Sequence, residues 1–171
     1  MLDCPTADEI TSGQVTDHCC TLSGEVLRRL GVGNRLVTLE AHVRRFPADV
    51  SRGVFYGLGD VLDVLRNQPV NIWAIRPGTV FLEREPVLII EGPAECLAPL
   101  RPAITGVLTF ASSLVTRAYQ IVQAAAGKPV TFLARARYIP HTYVSTLSAH
   151  MWPEWRLTPH RRPLTYYLTW N

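Results

Sequence analysis

Pro102-Ala-Ile-Thr-Gly-Val-Leu-Thr-Phe-Ala-Ser-Ser-Leu-Val-Thr-Arg-Ala-Tyr-Gln-Ile-Val-Gln-Ala-Ala-Ala126 is the longest stretch of the chain that reads as one helix. Its interior carries no proline, and Gly127-Lys128-Pro129 stops it. Val130 to Ala134 follows as an apolar run with the character of a buried strand. A long helix feeding directly into a buried strand is the feature around which the other elements are ordered.

Toward the N-terminus the periods change several times. Gly24 to Leu30 reads as a helix closed by Gly31. Val37, Leu39, Ala41 and Val43 alternate with Thr38, Glu40 and His42, the period of a half-buried strand. Val54, Phe55, Leu58, Val61, Leu62 and Leu65 fall on one face of a helix. Val70 to Ile75 reads as a strand and Arg76-Pro-Gly-Thr79 as a turn. Val80 to Glu83 and Val87 to Glu91 read as strands broken near Pro86.

Toward the C-terminus the composition shifts. From Tyr138 onward lie three of the four Trp, four of the six Tyr and three of the five His, interrupted by Pro140, Pro153, Pro159 and Pro163. From Arg137 onward lies the whole net charge of +3 as well, in Arg137, Arg156, Arg161 and Arg162 against Glu154. No buried face is legible in this segment, so residues 139–171 read as an irregular tail. Four arginines without a motif do not make a nucleic-acid site, and nucleic acid is not the expected partner.

At 47% hydrophobic and 18% charged the chain has the composition of a folded domain rather than a disordered one. No apolar run approaches the ~20 residues of a membrane span, and Met1 to Glu9 has neither a basic start nor an apolar core. The expected compartment is the cytoplasm, with no membrane partner. Cys4, Cys19, Cys20 and Cys96 form neither a CxxC pair nor a spaced metal set, so they are expected as reduced thiols and no metal ligands are assigned.

Short words along residues 9–135 bring these observations together. Glu9-Ile-Thr-Ser-Gly-Gln-Val-Thr-Asp17 resembles an opening of the form I-x-x-G-x-V-T-D. Arg44-Arg-Phe-Pro47, Val54-Phe-Tyr-Gly-Leu58, Pro77-Gly-Thr-Val-Phe81, Glu85-Pro-Val-Leu88 and Ile90-Glu-Gly-Pro93 continue the likeness. So do Ala111-Ser-Ser-Leu-Val-Thr116 and Pro129-Val-Thr-Phe-Leu-Ala-Arg135. In this order and spacing they resemble the N-terminal portion of nicotinate phosphoribosyltransferases, a type II phosphoribosyltransferase family.

The resemblance implies an α+β fold. Residues 1–94 would form a small open-faced α/β sandwich domain, and 95–138 a long helix and the first strand of an incomplete phosphoribosyltransferase α/β barrel. It implies a family activity joining nicotinate to phosphoribosyl pyrophosphate in NAD biosynthesis, with ATP hydrolysis coupled and Mg²⁺ neutralising the leaving pyrophosphate. In that chemistry arginine forks hold carboxylate and phosphates, and positioning matters more than a nucleophile. The matching candidates for substrate or phosphate binding are Asp17, Thr116, Arg135 and Arg137; none is assigned a catalytic role.

The chain also departs from the family pattern. Cys19, Cys20 and Leu22 stand where the family presents an aromatic pair and an arginine. Asp17 remains, either as a helix cap or as a ligand. Ser113 stands for a glycine, Ala136 for a second arginine and Tyr138 for a histidine. Arg135 and Arg137 share one face of a strand, as a phosphate clamp or as a solvated basic edge. The expectation is a truncated family member, inactive alone and binding neither ATP nor Mg²⁺ by itself. The alternative is a non-catalytic module docking on an intact barrel. Leu108, Val115 and Ile121 would then be partly uncovered, favouring a homo-oligomer or a separate barrel subunit. Back-translated, Met151-Trp-Pro153 forces Val-Ala in the frame starting at each codon's last base, resembling the family's continuation. A frameshift near residues 136–146 is therefore a further expectation, decided by the coding DNA.

Overall fold

The strand Pro86–Pro93, the longest among the described residues, has antiparallel neighbours on both edges. The computed structural model describes residues 5–128, residue 130 and the backbone of 166–169. The elements are α1 (Ala7–Thr11), α2 (His18–Arg29), β1 (Leu36–His42), β2 (Gly53–Val54), α3 (Leu58–Val64), β3 (Asn71–Ala74), β4 (Val80–Phe81), β5 (Pro86–Pro93), α4 (Ala94–Leu97), α5 (Arg101–Ala124) and β6 (Tyr166–Thr169). Residues 131–134 of the strand expected over Val130 to Ala134, Arg135, Arg137 and the frameshift segment lie outside the described residues.

A four-stranded sheet runs in the order β1-β5-β3-β6, and β2 pairs with β4 in a separate ribbon. The register sets Leu39 and Ile72 on either side of Ile90, and Ala41 and Ala74 on either side of Leu88. These positions share one face of the pleat. Ile72, Ala74, Leu88 and Ile90 are buried, and they pack with Leu58 and Val61 of α3, Leu97 of α4, and Leu100, Ile104 and Leu108 at the head of α5. The opposite face carries Thr38, Glu40, Trp73, Ile89 and Glu91, all exposed or only half-buried. The sandwich is therefore open on one side, with mixed α/β composition and antiparallel sheets.

Several expectations need correction. The helix expected from Val54 starts only at Leu58, because Gly57 sits at φ 94 and breaks the period, while Val54 belongs to β2. Val54 and Phe55 are fully buried even so, which is why they fall on the apolar face of the sequence pattern. The strand expected over Val80 to Glu83 covers only Val80–Phe81. Pro86 does not break a strand; it opens one, at a position where its missing N–H costs no ladder bond. Leu108 is buried rather than uncovered, since α5 lays its first two turns on the sheet core. Residues 166–169 of the tail expected to be irregular form β6, antiparallel to β3.

The remaining boundaries follow the chemistry of the chain. Thr6 and Glu9 form a reciprocal capping box at the start of α1. Gly31, at φ 68, follows the C-cap of α2, and Gly127, at φ 85, lies beyond α5. Arg76 to Thr79 is the expected turn, closed by Thr79 N–H donating to the Arg76 carbonyl at 3.0 Å. No described helix is long and apolar enough to cross a membrane.

Candidate functional site

Asp17 is the N-cap of α2. Its carboxylate accepts the backbone N–H of Cys20 at 2.7 Å, which satisfies one of the free donors of the first helical turn. That hydrogen bond is the main reason its pKa lies below the ordinary Asp value, with a lesser contribution from Arg101 at the start of α5. Of the two readings open in the sequence, cap or ligand, the geometry realises the cap. Beside it, Cys20 is buried, and burial first, then Asp17, push its thiol pKa up. The neighbouring Thr16 hydroxyl is buried without a hydrogen bond of ordinary geometry, although it weakly favours the Cys20 thiolate.

Thr116 is buried on α5 and turned inward. Its Oγ1 accepts the backbone N–H of Val54 at 2.9 Å. One turn earlier, Ser112 Oγ accepts the Tyr56 N–H at 3.0 Å and donates to the Tyr56 carbonyl at 3.1 Å. The two hydroxyls thus hold residues 54–56 against the helix, while Val54 pairs with Val80, Phe55 N–H donates to the Thr79 carbonyl and Gly78 N–H donates to the Phe55 carbonyl. A second tie lies further along: Arg117 pairs with Asp49 at 2.7 Å, and Gln120 donates to the Asp49 carbonyl at 3.2 Å. Arg117 holds the Asp49 carboxyl below its usual range.

The two candidates within the described residues, Asp17 and Thr116, do not share one pocket. Asp17 neighbours Arg101, whereas Thr116 lies further along α5 by fifteen residues, roughly 22 Å at the rise of an α-helix. Arg135 and Arg137 lie outside the described residues. No three His, Cys, Asp or Glu side chains gather into a metal site among the described residues, and Asp17 is already committed to helix donors. Among the described residues the donor set does not fit Mg²⁺.

Sequence reasoning missed the roles of Ser112, Asp49, Arg117 and Gln120. A signal for the first was present. Ile104, Leu108, Ser112 and Thr116 are spaced four apart, so two hydroxyls continue a buried apolar stripe. Hydroxyls in such positions need backbone partners, and a non-helical segment nearby is where they find them.

The last turn of α5, residues 121–124, is exposed all round. Ile121 is 54% exposed and Val122 48%, and Val115 is half-buried.

Comparison with known proteins matches this architecture. The sequence profile described as "Quinolinate phosphoribosyl transferase, N-terminal domain" matches residues 20–112. The crystal structure of nicotinate-nucleotide pyrophosphorylase from Pyrococcus furiosus superposes with a TM-score of 0.71 at 31% identity, covering 75% of this chain and 33% of that one. The crystal structure of human Nicotinic Acid Phosphoribosyltransferase superposes with a TM-score of 0.70 at 18% identity, covering 80% of this chain and 34% of the other, which shows a shared fold. The chain spans about a third of the length of these solved proteins. No curated protein sequence matches it.

Proposed function

The chain belongs to the family of quinolinate phosphoribosyl transferase N-terminal domains, and from that premise we propose that it is the N-terminal domain of a type II phosphoribosyltransferase of NAD biosynthesis, with nicotinate as the pyridine substrate. In this reading residues 1–94 are the small domain, 95–138 the passage into a catalytic barrel, and 139–171 a tail. The family reaction joins nicotinate and phosphoribosyl pyrophosphate into nicotinate mononucleotide and pyrophosphate, coupled to ATP with Mg²⁺, neither of which this chain is expected to bind by itself. In this reading Arg135 and Arg137 are the candidates for an anion clamp, while Asp17 caps α2 and Thr116 ties Val54 to α5.

The observation that carries this reading is the passage of α5 from a covered to an uncovered environment. Its head is part of the sheet core, and its last turn presents Ile121 and Val122 to solvent. An apolar helix face of this kind fits against further polypeptide. The words over residues 9–135 support nicotinate. So does the likeness to the solved protein from Pyrococcus furiosus, whose name refers to a nicotinate nucleotide.

This stretch of polypeptide does not turn over substrate unaided, because the walls that would surround a ribosyl cation are supplied by the barrel. Incubating the purified chain with labelled nicotinate, phosphoribosyl pyrophosphate, ATP and Mg²⁺ tests this, and no nicotinate mononucleotide is expected. Formation of product above the no-protein control would refute inactivity of the isolated chain. Parallel reactions with quinolinate test the choice of pyridine: turnover of quinolinate and not nicotinate would refute that choice.

A second reading is favoured by one observation. Cys19 and Leu22 are exposed where the resemblance implies an aromatic ring and a cation. A domain without those groups acts as a non-catalytic module that docks on an intact phosphoribosyltransferase barrel. Co-purification with a full-length enzyme that remains active would support it.

A further inference from the structure

One hydrogen bond fixes the way the backbone groups of β3 face. Ile75 N–H, just past the strand, donates to the Val87 carbonyl at 3.1 Å, on the side of β5. Ladder groups alternate along an antiparallel strand. The N–H and C=O of Asn71 and Trp73 therefore also turn to β5, and those of Ile72 and Ala74 turn to the opposite edge. Asn71 is exposed and Trp73 half-buried, whereas Ile72 is only 3% exposed and Ala74 6%. The peptide groups aimed at the outer edge thus belong to the two most buried residues of the strand. Buried backbone donors and acceptors require partners.

β6 lies along that edge, with Leu168 opposite Ile72 and Tyr166 opposite Ala74. These are the two pairs that the alternation marks as hydrogen-bonded. Residues directly opposite one another share a face of the sheet, which places positions 166 and 168 on the core side and 167 and 169 on the open side. The sequence Tyr166-Tyr-Leu-Thr169 agrees with that register: its aliphatic residue is level with buried Ile72 and its threonine with exposed Asn71. A slip of one residue would bring Thr169 level with Ile72 and carry Leu168 to the open face.

We propose that the outer edge of β3 is a strand-acceptor site, and that residues 166–169 of the same chain are its occupant. The site takes an extended segment through main-chain hydrogen bonds with Ile72 and Ala74, and it selects an apolar residue at the position facing Ile72. Seated there, β6 covers a sheet edge that is otherwise open to pairing with other chains.

Hydrogen exchange of the full chain, resolved by residue, tests the proposal. In wild type the Ile72 and Ala74 amides are protected at least a hundredfold. Leu168→Pro removes the donor facing the Ile72 carbonyl and accelerates both amides at least tenfold, while Trp73, bonded to β5, stays within twofold. Thr169→Pro, whose N–H turns away from β3, leaves all three within twofold. A labelled peptide of residues 164–171 binds Leu168→Pro at least tenfold more tightly than wild type. The double variant Trp73→Cys with Tyr167→Cys joins a pair that is directly opposite and not hydrogen-bonded, the closer kind of pair. On mild oxidation it forms a disulfide within one chain, located by peptide mapping. No ladder bond is removed in that variant, so it decides the case even if Leu168→Pro unfolds. The proposal is overturned if Ile72 and Ala74 exchange freely in wild type, or if the disulfide fails to form or forms only between two chains. It is also overturned if a folded Leu168→Pro keeps both amides as protected as before or takes up the peptide no better than wild type.

Discussion

Thr116 Oγ1 accepts the backbone N–H of Val54 at 2.9 Å, joining residues 62 apart in sequence. With Ser112 and Tyr56 one turn away, it fastens the segment between β2 and α3 to the long helix. Two of the short words that mark the family, residues 54–58 and 111–116, are thus physically clasped to each other.

Replacing Thr116 by Val removes the acceptor and leaves a buried N–H without a partner, a loss of about 1–3 kcal/mol. Thr116→Ser keeps the acceptor and loses only a methyl group. Chemical denaturation of both variants should rank them in that order, and equal stability would show that the hydrogen bond contributes nothing.

Gly57 and Gly59 make a contrasting pair. Gly57 is at φ 94, and a Cβ built there would lie 2.9 Å from the Ala111 Cβ. Gly57→Ala therefore combines backbone strain with a clash and destabilises by roughly 1–3 kcal/mol. Gly59 lies within α3, and a Cβ there would meet nothing within 4 Å, so Gly59→Ala stabilises by up to about 1 kcal/mol. Thermal melts of the two variants should move in opposite directions.

The adjacent thiols should differ in reactivity. Cys19 is exposed, whereas Cys20 is buried and its pKa is raised, chiefly by that burial. Alkylation needs the thiolate and access to it. Maleimide labelling of the folded protein near neutral pH, followed by peptide mapping, should modify Cys19 well before Cys20. Unfolding should abolish the difference.

The Asp49–Arg117 pair predicts an acid-linked loss of stability. The folded-state pKa of Asp49 is depressed from 3.8, and the hydrogen bond from Arg117 is its first cause. A depressed carboxyl contributes fully above its unfolded value and loses that contribution as pH falls through the lower folded one. The stability difference between wild type and Asp49→Asn should therefore be constant from neutral pH down to about 5 and should shrink below about 4. Both groups are exposed, so added salt should reduce it as well. Urea titrations at a series of pH values measure this.

Much of the fold was legible because burial leaves a period in the sequence. β1 alternates as Val37, Leu39 and Ala41 require, and Gly31 and Gly127 mark helix ends with positive φ. The segment around Val54 was not legible as an extended piece, since a buried strand residue and a buried helix residue look alike over so short a run. What separates them is Gly57 and the two hydroxyls of α5, partners 56 and 62 residues away. Local pattern carries no trace of such distances. The candidate site was less legible still. Asp17 and Thr116 stand out through the words that contain them, and their side chains are occupied with backbone donors. A family word can hold a residue for the sake of the fold as readily as for the chemistry.

The central place of β5 has a consequence for synthesis on the ribosome. β1 is complete at His42, but its partner begins only at Pro86, and β3 waits for the same strand. At roughly 5–20 residues per second, a nascent chain would carry β1 unpaired for about 2–9 s. During that interval the strand's open edges are free to meet other nascent chains or chaperones, and the time ends only when β5 slides between two strands made before it.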